Sequence, residues 1–270
     1  LMLKKIFKDL LSNSFLRDFL NISWSPYYDI TFHDIAKDLK EAKSKIDNHP
    51  KFRNLEDTYS LIEKEIKNVK DIKIDPNLQN AFIPILISIF NQSENKIESI
   101  LDVGGGIDPV SLYVKKYCNI EIQSSVIETA AYTNKLNDLI SRDHDFIKYF
   151  ADLNALDNLN FDLIYFGSVI QYLEDKEYDI IKKTISFNPK LIVISHTMFI
   201  DQDEDLYSLQ SVGRKHLIPY KFFSYKKMIN FFKKEKYKLI IDIDLENVLI
   251  HKKIDNKNFK NKSLIFIKEF

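Results

Sequence analysis

Only five glycines, one cysteine, one tryptophan and three methionines occur in 270 residues. The lone Cys118 excludes an internal disulfide and a zinc site built from cysteines, and it fits a reducing, cytoplasmic setting. Net charge is also missing, with 39 basic side chains against 39 acidic ones. Without a global field to draw a polyanion, no nucleic-acid partner is expected. A long hydrophobic run is absent too. The longest strongly apolar stretch, Ala81 to Phe90, contains Pro84 and is far too short to span a bilayer. Charges recur through the first segment and no apolar core follows them, so a secretory signal is not expected.

What is present suffices for one large domain, or a domain with a cap: 45% of residues are hydrophobic. Leu3, Ile6, Phe7, Leu10 and Leu11, with Lys4, Lys5 and Lys8 between them, have the spacing of an amphipathic helix. Its apolar face packs on the rest of the protein or on a second subunit, or the helix lies on an anionic membrane surface. Trp24 to Asp29 is an aromatic turn; Tyr27 and Tyr28 there serve as a plug between cap and core, or as a lid over substrate. Helices are expected from Thr31 to Lys45, from Leu55 to Val69 and from Leu78 to Phe90. Residues 1–95 thus read as a helical cap and 96–270 as the catalytic domain. From Ile97 onward strand and helix patterns alternate, which implies a parallel sheet covered by helices on both faces.

Three of the five glycines stand together in Ile100-Leu101-Asp102-Val103-Gly104-Gly105-Gly106-Ile107-Asp108-Pro109. A strand, a tight turn and a helix start is the reading, because glycine admits positive φ or close approach to the backbone. A dinucleotide loop of the G-x-G-x-x-G type lacks its third glycine here, where Pro109 stands, and no G-x-x-x-x-G-K-[ST] phosphate loop occurs. Glu128 ends the next strand, 22 residues beyond Gly106. At that spacing a carboxylate can accept both hydroxyls of a ribose lying across the strand ends.

Two apolar residues, Asp102, one residue and the glycine cluster resemble the first motif of class I S-adenosylmethionine-dependent methyltransferases. The resemblance implies a Rossmann-like α/β fold with a seven-stranded, mostly parallel sheet whose last strand is antiparallel. It also implies S-adenosyl-L-methionine as cofactor, leaving as S-adenosyl-L-homocysteine. In that family the glycine loop passes under the methionine and ribose, placing Gly104, Gly105 and Gly106 there, and the acid at Asp102 holds the amino-acid end. Asp152, after the third strand, is the adenine-edge candidate, with a helix cap as its other role. Gly167 and Ser168, at the fourth strand end, line the methyl-donor pocket. Asp108 replaces a frequent last glycine of the motif.

Gln171-Tyr172-Leu173, Leu209-Gln210-Ser211-Val212 and Ile218-Pro219-Tyr220, together with Asp102 and Glu128, resemble a narrower group of methyltransferases encoded among surface-polysaccharide genes. That resemblance implies methyl transfer to a sugar or sugar-linked acid, presented as a small molecule or as a nucleotide- or lipid-linked acceptor. Gln171 and Tyr172 then face substrate or cofactor. His196 follows strand Leu191–Ser195, at the edge where such folds bind ligands, and suits a general base near neutral pH. The narrower group tends to carry an arginine there, so the role rests on histidine chemistry alone, and a satisfied structural histidine is the other reading. Between Phe199 and Tyr220 lies an insertion read as a solvated loop with Asp201, Asp203, Glu204 and Asp205, and no metal is expected. Gln210, Arg214 and His216 are candidates for gripping a polar or phosphorylated acceptor. An NAD-dependent oxidoreductase or epimerase and a non-catalytic partner-binding protein on the same fold remain the alternatives.

Overall fold

The computed structural model describes residues 32–48, 53–54, 96–118, 120–156, 159–173, 178–212, 216–245, 253–254 and 257–269. The first helix, Tyr27 and Tyr28, the two helices expected between 55 and 90, and Arg214 lie outside the described residues. In chain order the elements begin with β1 (Phe32–Ala36), α1 (Leu39–Asp47) and the two-residue β2 (Arg53–Asn54). Then come β3 (Ser99–Val103), α2 (Val110–Cys118), β4 (Gln123–Ile127), α3 (Ala130–Leu136) and β5 (Ile147–Phe150). After these follow β6 (Leu163–Gly167), α4 (Asp179–Ile185), β7 (Leu191–Ile200), β8 (Leu206–Val212) and β9 (His216–Ser224). The C-terminal part holds α5 (Tyr225–Lys234), β10 (Tyr237–Asp244), β11 (Lys253–Ile254) and β12 (Lys257–Lys268).

Five parallel strands run in the order β5-β4-β3-β6-β7. Antiparallel β12 then pairs β7, and β10 pairs β12. The order reverses at β3, and in such sheets ligands bind outside the carboxyl ends of the strands at that point. This seven-stranded arrangement, with an antiparallel strand slipped in beside β7, is the α/β architecture expected from the sequence.

Alternation along each strand sends side chains into two cores, as expected of a sheet covered on both faces. Leu101, Val103, Ile164, Phe166, Ile192 and Ile194 join Phe232 and Phe266 on one face. Ile100, Leu163, Tyr165 and Val193 pack with Val110 and Val114 of α2 on the other. Asp102 therefore falls between apolar positions on the α2 side. It is buried because the strand period puts it there.

Two expectations are corrected. The stretch from Thr31 to Lys45 is not one helix: residues 32–36 form β1, and α1 starts only after Asp38, whose carboxylate accepts the Glu41 N–H. Strand pairing with β8 (Phe32 opposite Gln210) overrides the local helical pattern, with a bulge where Asp34 takes φ 41°. The insertion after Phe199 is a loop only at residues 201–205, where Asp201 to Glu204 are exposed as expected. Beyond it Leu206–Val212 and His216–Ser224 pair as antiparallel β8 and β9, with β1 on the outer edge of β8, and the end of β9 runs alongside the end of β7.

Within this ribbon, one buried ion pair fastens the connection entering β8 to β9. Lys221 Nζ lies 3.1 Å from Asp205 Oδ2, with side-chain exposures of 4% and 8%. Asp205 Oδ1 accepts the Ser224 N–H at 2.8 Å and the Tyr178 hydroxyl at 3.2 Å, and Ser224 caps α5. The ammonium also sits 4.9 Å from the centre of the Phe223 ring. Asp203 and Glu204, by contrast, make exposed pairs with Lys226 and Lys227. Asp205→Ala strands a buried cation and is expected to cost about 3–5 kcal/mol. Denaturant titration should show this as a lower midpoint at unchanged slope; a loss below about 1 kcal/mol would refute the fastening role.

Candidate active site

Immediately after β3 the chain bends over its own last acidic side chain. Gly104, at φ 74°, donates its N–H to Ile127 O at 2.8 Å, and a Cβ there would lie 2.5 Å from Val169 Cγ2. A Cβ on Gly105 would stand 2.8 Å from the Asp102 carboxylate and 2.9 Å from Val126 Cγ1. Only glycine lets the bend close onto Asp102. Tyr149 of β5 ties it down from the side by donating its hydroxyl to Gly106 O at 2.9 Å.

Asp102 is 1% exposed. Its Oδ2 accepts the Val110 N–H, in the first turn of α2, at 2.7 Å, where a helix presents unsatisfied donors and partial positive charge. Oδ1 is buried without a hydrogen-bond partner. Burial lifts the carboxyl to about 7; the Val110 bond opposes this, and the negative charges of Asp108 and Glu128 add to it. Burial raises Asp108 as well.

The bend opens onto a cleft of about 340 Å³. Asp102, Gly104, Gly105, Asp108 and Val110 line it from the bend, and Tyr165, Gly167 and Ser168 from β6 and its end. Gln171 and Tyr172 follow from the short turn after β6, and His196 and Met198 from β7. Phe32, Gln210 and Tyr220 come from the three strands of the ribbon, and Asn261 from β12. Nine sequence candidates therefore share one cavity: Asp102, Gly104, Gly105, Gly167, Ser168, Gln171, Tyr172, His196 and Gln210.

His196 is not at the end of β7, as the apolar run Leu191–Ser195 suggested, but inside it. The strand continues to Ile200, and His196 takes φ 52° at a bulge opposite Ser263 of β12. Left-handed backbone at a non-glycine residue costs about 1–3 kcal/mol and tends to gather at functional positions. The bulge aims the ring at the cleft. Ser195 Oγ lies 2.7 Å from His196 Nδ1 and 3.0 Å from Ser263 Oγ. Burial holds the imidazole below its ordinary pKa, so it is neutral at pH 7. Ser168, also left-handed at φ 56°, accepts from Gln171 Nε2 at 3.1 Å. The Tyr172 hydroxyl donates to Gln210 Oε1 at 2.8 Å, and its ring meets Tyr220 edge-on at 5.4 Å.

The remaining candidates lie elsewhere. Glu128 stands at the tip of β4, beside the bend but off the cleft wall, with Oε1 accepting the Thr129 N–H at 2.8 Å. Asp152 opens a short 3-10 turn and accepts from Asn154 N at 2.9 Å, the capping role that was its alternative reading. Gly106 holds Tyr149, and His216 begins β9. Among the described residues no group of three His, Cys, Asp or Glu side chains could hold a metal ion. Sequence reasoning passed over Phe32, Met198 and Asn261, which only the topology brings to the cleft.

Among the solved structures with a similar fold are two of comparable extent. Magnesium protoporphyrin IX methyltransferase from Synechocystis PCC 6803, with bound SAH, has a TM-score of 0.52 at 7% identity, over 78% of this chain and 95% of that one. The N-terminal domain of EvdMO1, crystallised in the presence of SAH and D-fucose, has a TM-score of 0.51 at 10% identity, over 78% and 97%. This is the class I methyltransferase fold. No protein-family model and no curated protein matches the sequence.

For Asp102 the raised pKa has a sign that can be checked. The folded chain holds this proton more tightly than the unfolded chain, so between about pH 4 and pH 7 Asp102 makes stability fall as pH rises. Integrated over that window, the ionised buried carboxylate costs ~4 kcal/mol above pH 7. Asp102→Asn should therefore be more stable than wild type at pH 8 and nearly equal to it at pH 4, in urea unfolding. Identical pH slopes for the two proteins would disprove the burial argument.

Proposed function

We propose that the protein transfers a methyl group from S-adenosylmethionine to a hydroxyl of a small sugar-like acceptor. The observation that carries this is the pairing, in one cleft, of an orphaned buried carboxylate oxygen under a bare glycine bend with a neutral histidine on a strand bulge. The residues fit that cofactor. Asp102 Oδ1 lacks a donor that a cationic ammonium supplies, and Asp108 adds a second acid facing the same end. Gly104 and Gly105 leave the bend without side chains, and Glu128, next to it after β4, is the carboxylate that would accept the ribose hydroxyls. When bound, S-adenosylmethionine supplies an electrophilic methyl group on a sulfonium, whose displacement is in line and depends on alignment.

The chain's own residues do the rest. Gly167 and Ser168 form the floor between the two halves of the cleft, and Gln171 fixes Ser168 through its hydrogen bond. Rings of Phe32, Tyr172 and Tyr220 line the acceptor half, while Tyr172 and Gln210 brace each other. His196 takes the hydroxyl proton at Nε2, the ring nitrogen that Ser195 leaves free; this use requires Nδ1–H to donate to Ser195 Oγ. Support for a sugar rather than another alcohol comes from the resemblance to the polysaccharide-associated group and from the mix of rings and carboxamides around the acceptor.

Calorimetric titration should show S-adenosylmethionine and S-adenosylhomocysteine binding, and NAD not binding. Because a bound ammonium favours ionised Asp102, affinity should fall up to tenfold per pH unit below about 7, with proton release on binding. Binding of NAD alone would sink the proposal. His196→Ala should keep S-adenosylhomocysteine affinity within about twofold and lower methyl transfer by 10²–10⁴. The assay is label incorporated from methyl-labelled donor into a pool of nucleotide sugars; unchanged incorporation removes His196 from the reaction.

A further inference from the structure

The acceptor half of the cleft contains two carboxamides in different states. Gln210 is committed, since its Oε1 already receives the Tyr172 hydroxyl. Both are residues that the sequence offered for substrate contact, and they satisfy each other. Asn261, from β12, is 7% exposed, lines the cleft, and has a buried Oδ1 with no hydrogen-bond partner. A buried amide oxygen left unpaired costs about 1–3 kcal/mol, so its retention on a cavity wall asks for an external donor.

The register places this amide beside the chemistry. Asn261 is the cross-strand partner of Met198, two residues beyond His196, and the β12 register shifts between Lys262 and Leu264, opposite the His196 bulge. Asn261, Met198 and His196 accordingly share the cleft wall. A half turn about Cβ–Cγ exchanges the two ends of the amide without moving the backbone, so the oxygen or the NH2 can be presented to a ligand. The rings of Phe32 and Tyr220, 4.8 Å apart and edge to face, line the same cleft and cluster with Met198 and Phe222. Apolar rings beside one free amide suit a ligand ring with C–H faces and hydroxyls.

We propose that Asn261 is the acceptor-reading residue: its carboxamide hydrogen-bonds a second hydroxyl of a neutral hexose or deoxyhexose ring whose neighbouring hydroxyl is presented to His196. This rests on the methyl-transfer reading above and names the group that selects within it. An acceptor lacking that second hydroxyl leaves the amide unpaired and is rejected, because a site built to hydrogen-bond a hydroxyl discriminates strongly against its absence.

The test uses the full chain saturated with S-adenosylhomocysteine, so that the donor site is checked first. Failure of S-adenosylhomocysteine to bind overturns the methyl-transfer reading itself. With it bound, side-chain amide signals of 15N-asparagine-labelled protein are followed during titration with D-fucose, D-glucose and their nucleotide-linked forms. The Asn261 pair, identified by its loss in Asn261→Leu, should shift with at least one of these sugars; saturation with no shift from any of them overturns the proposal while leaving the donor site intact. In methyl transfer to the responding sugar, Asn261→Leu should raise KM about 10- to 100-fold, the range expected for one lost hydrogen bond. Its kcat should stay within about threefold and its S-adenosylhomocysteine affinity within about twofold. An unchanged KM overturns the assignment.

Discussion

A carboxylate shut away from water beneath a bend of three glycines constrains the rest of the molecule. Asp102 occupies an inward position on β3, between side chains that are all apolar, and accepts one backbone donor where two or three would be needed to satisfy it. Its burial requires that Gly105 carry no side chain, since any Cβ would strike the carboxylate. The bend must also remain closed, which Tyr149 enforces from β5 and Ile127 from β4. Two neighbouring strands are thus recruited to maintain one unsatisfied charge. Such an arrangement lowers stability and raises the demand for a cationic ligand by the same free energy, the usual relation between a stored cost and a binding site.

A second constraint acts on β7. The parallel sheet needs this strand only as far as Ser195, where it pairs with Gly167. Beyond that point it bulges at His196 and runs on to Ile200, pairing with β12 on one side and with the end of β9 on the other. The extension carries Met198 into the cleft and gives the β1–β8–β9 ribbon its foothold. Lys221 and Asp205 then lock the ribbon where it can present Phe32, Gln210 and Tyr220. The histidine on the bulge and the aromatic wall beside Met198 are therefore consequences of one strand being longer than its sheet.

The bend end of the cleft was legible because its signals are local. Three adjacent glycines after an apolar strand, with an acid two residues ahead of them, define both a turn and its chemistry within ten positions. Gly167, Ser168 and Gln171 follow from the next strand end by the same logic. The acceptor half was not legible to that degree. Phe32 reaches the cleft only because β1 adds to β8, a pairing between segments over 170 residues apart, and its local pattern suggests helix. Asn261 arrives through the antiparallel return of β12, beside a lysine-rich stretch that reads as surface. The alternation in Leu206-Tyr207-Ser208-Leu209-Gln210-Ser211-Val212 does carry a strand signal, hidden by the acidic cluster before it. The length of β7 escaped because His196 interrupts the apolar run at the very residue that bulges.

The two halves of the cleft also differ in how they treat charge, and this bears on turnover. Asp102 and Asp108 place two acids at the bend end whose ionisation burial opposes until a cation meets them, while at the other end His196 is neutral and the polar groups are carboxamides and hydroxyls. In the proposed reaction positive charge disappears from the donor and a proton appears on His196. The ammonium that Asp102 would hold is unchanged by the transfer, so the bend end would grip donor and product alike. A proton gained by a buried imidazole is disfavoured by the same desolvation that keeps the resting ring neutral, which returns it to solvent. Acid at one end and neutrality at the other thus separate the grip on the donor's ammonium from the proton that His196 gives up.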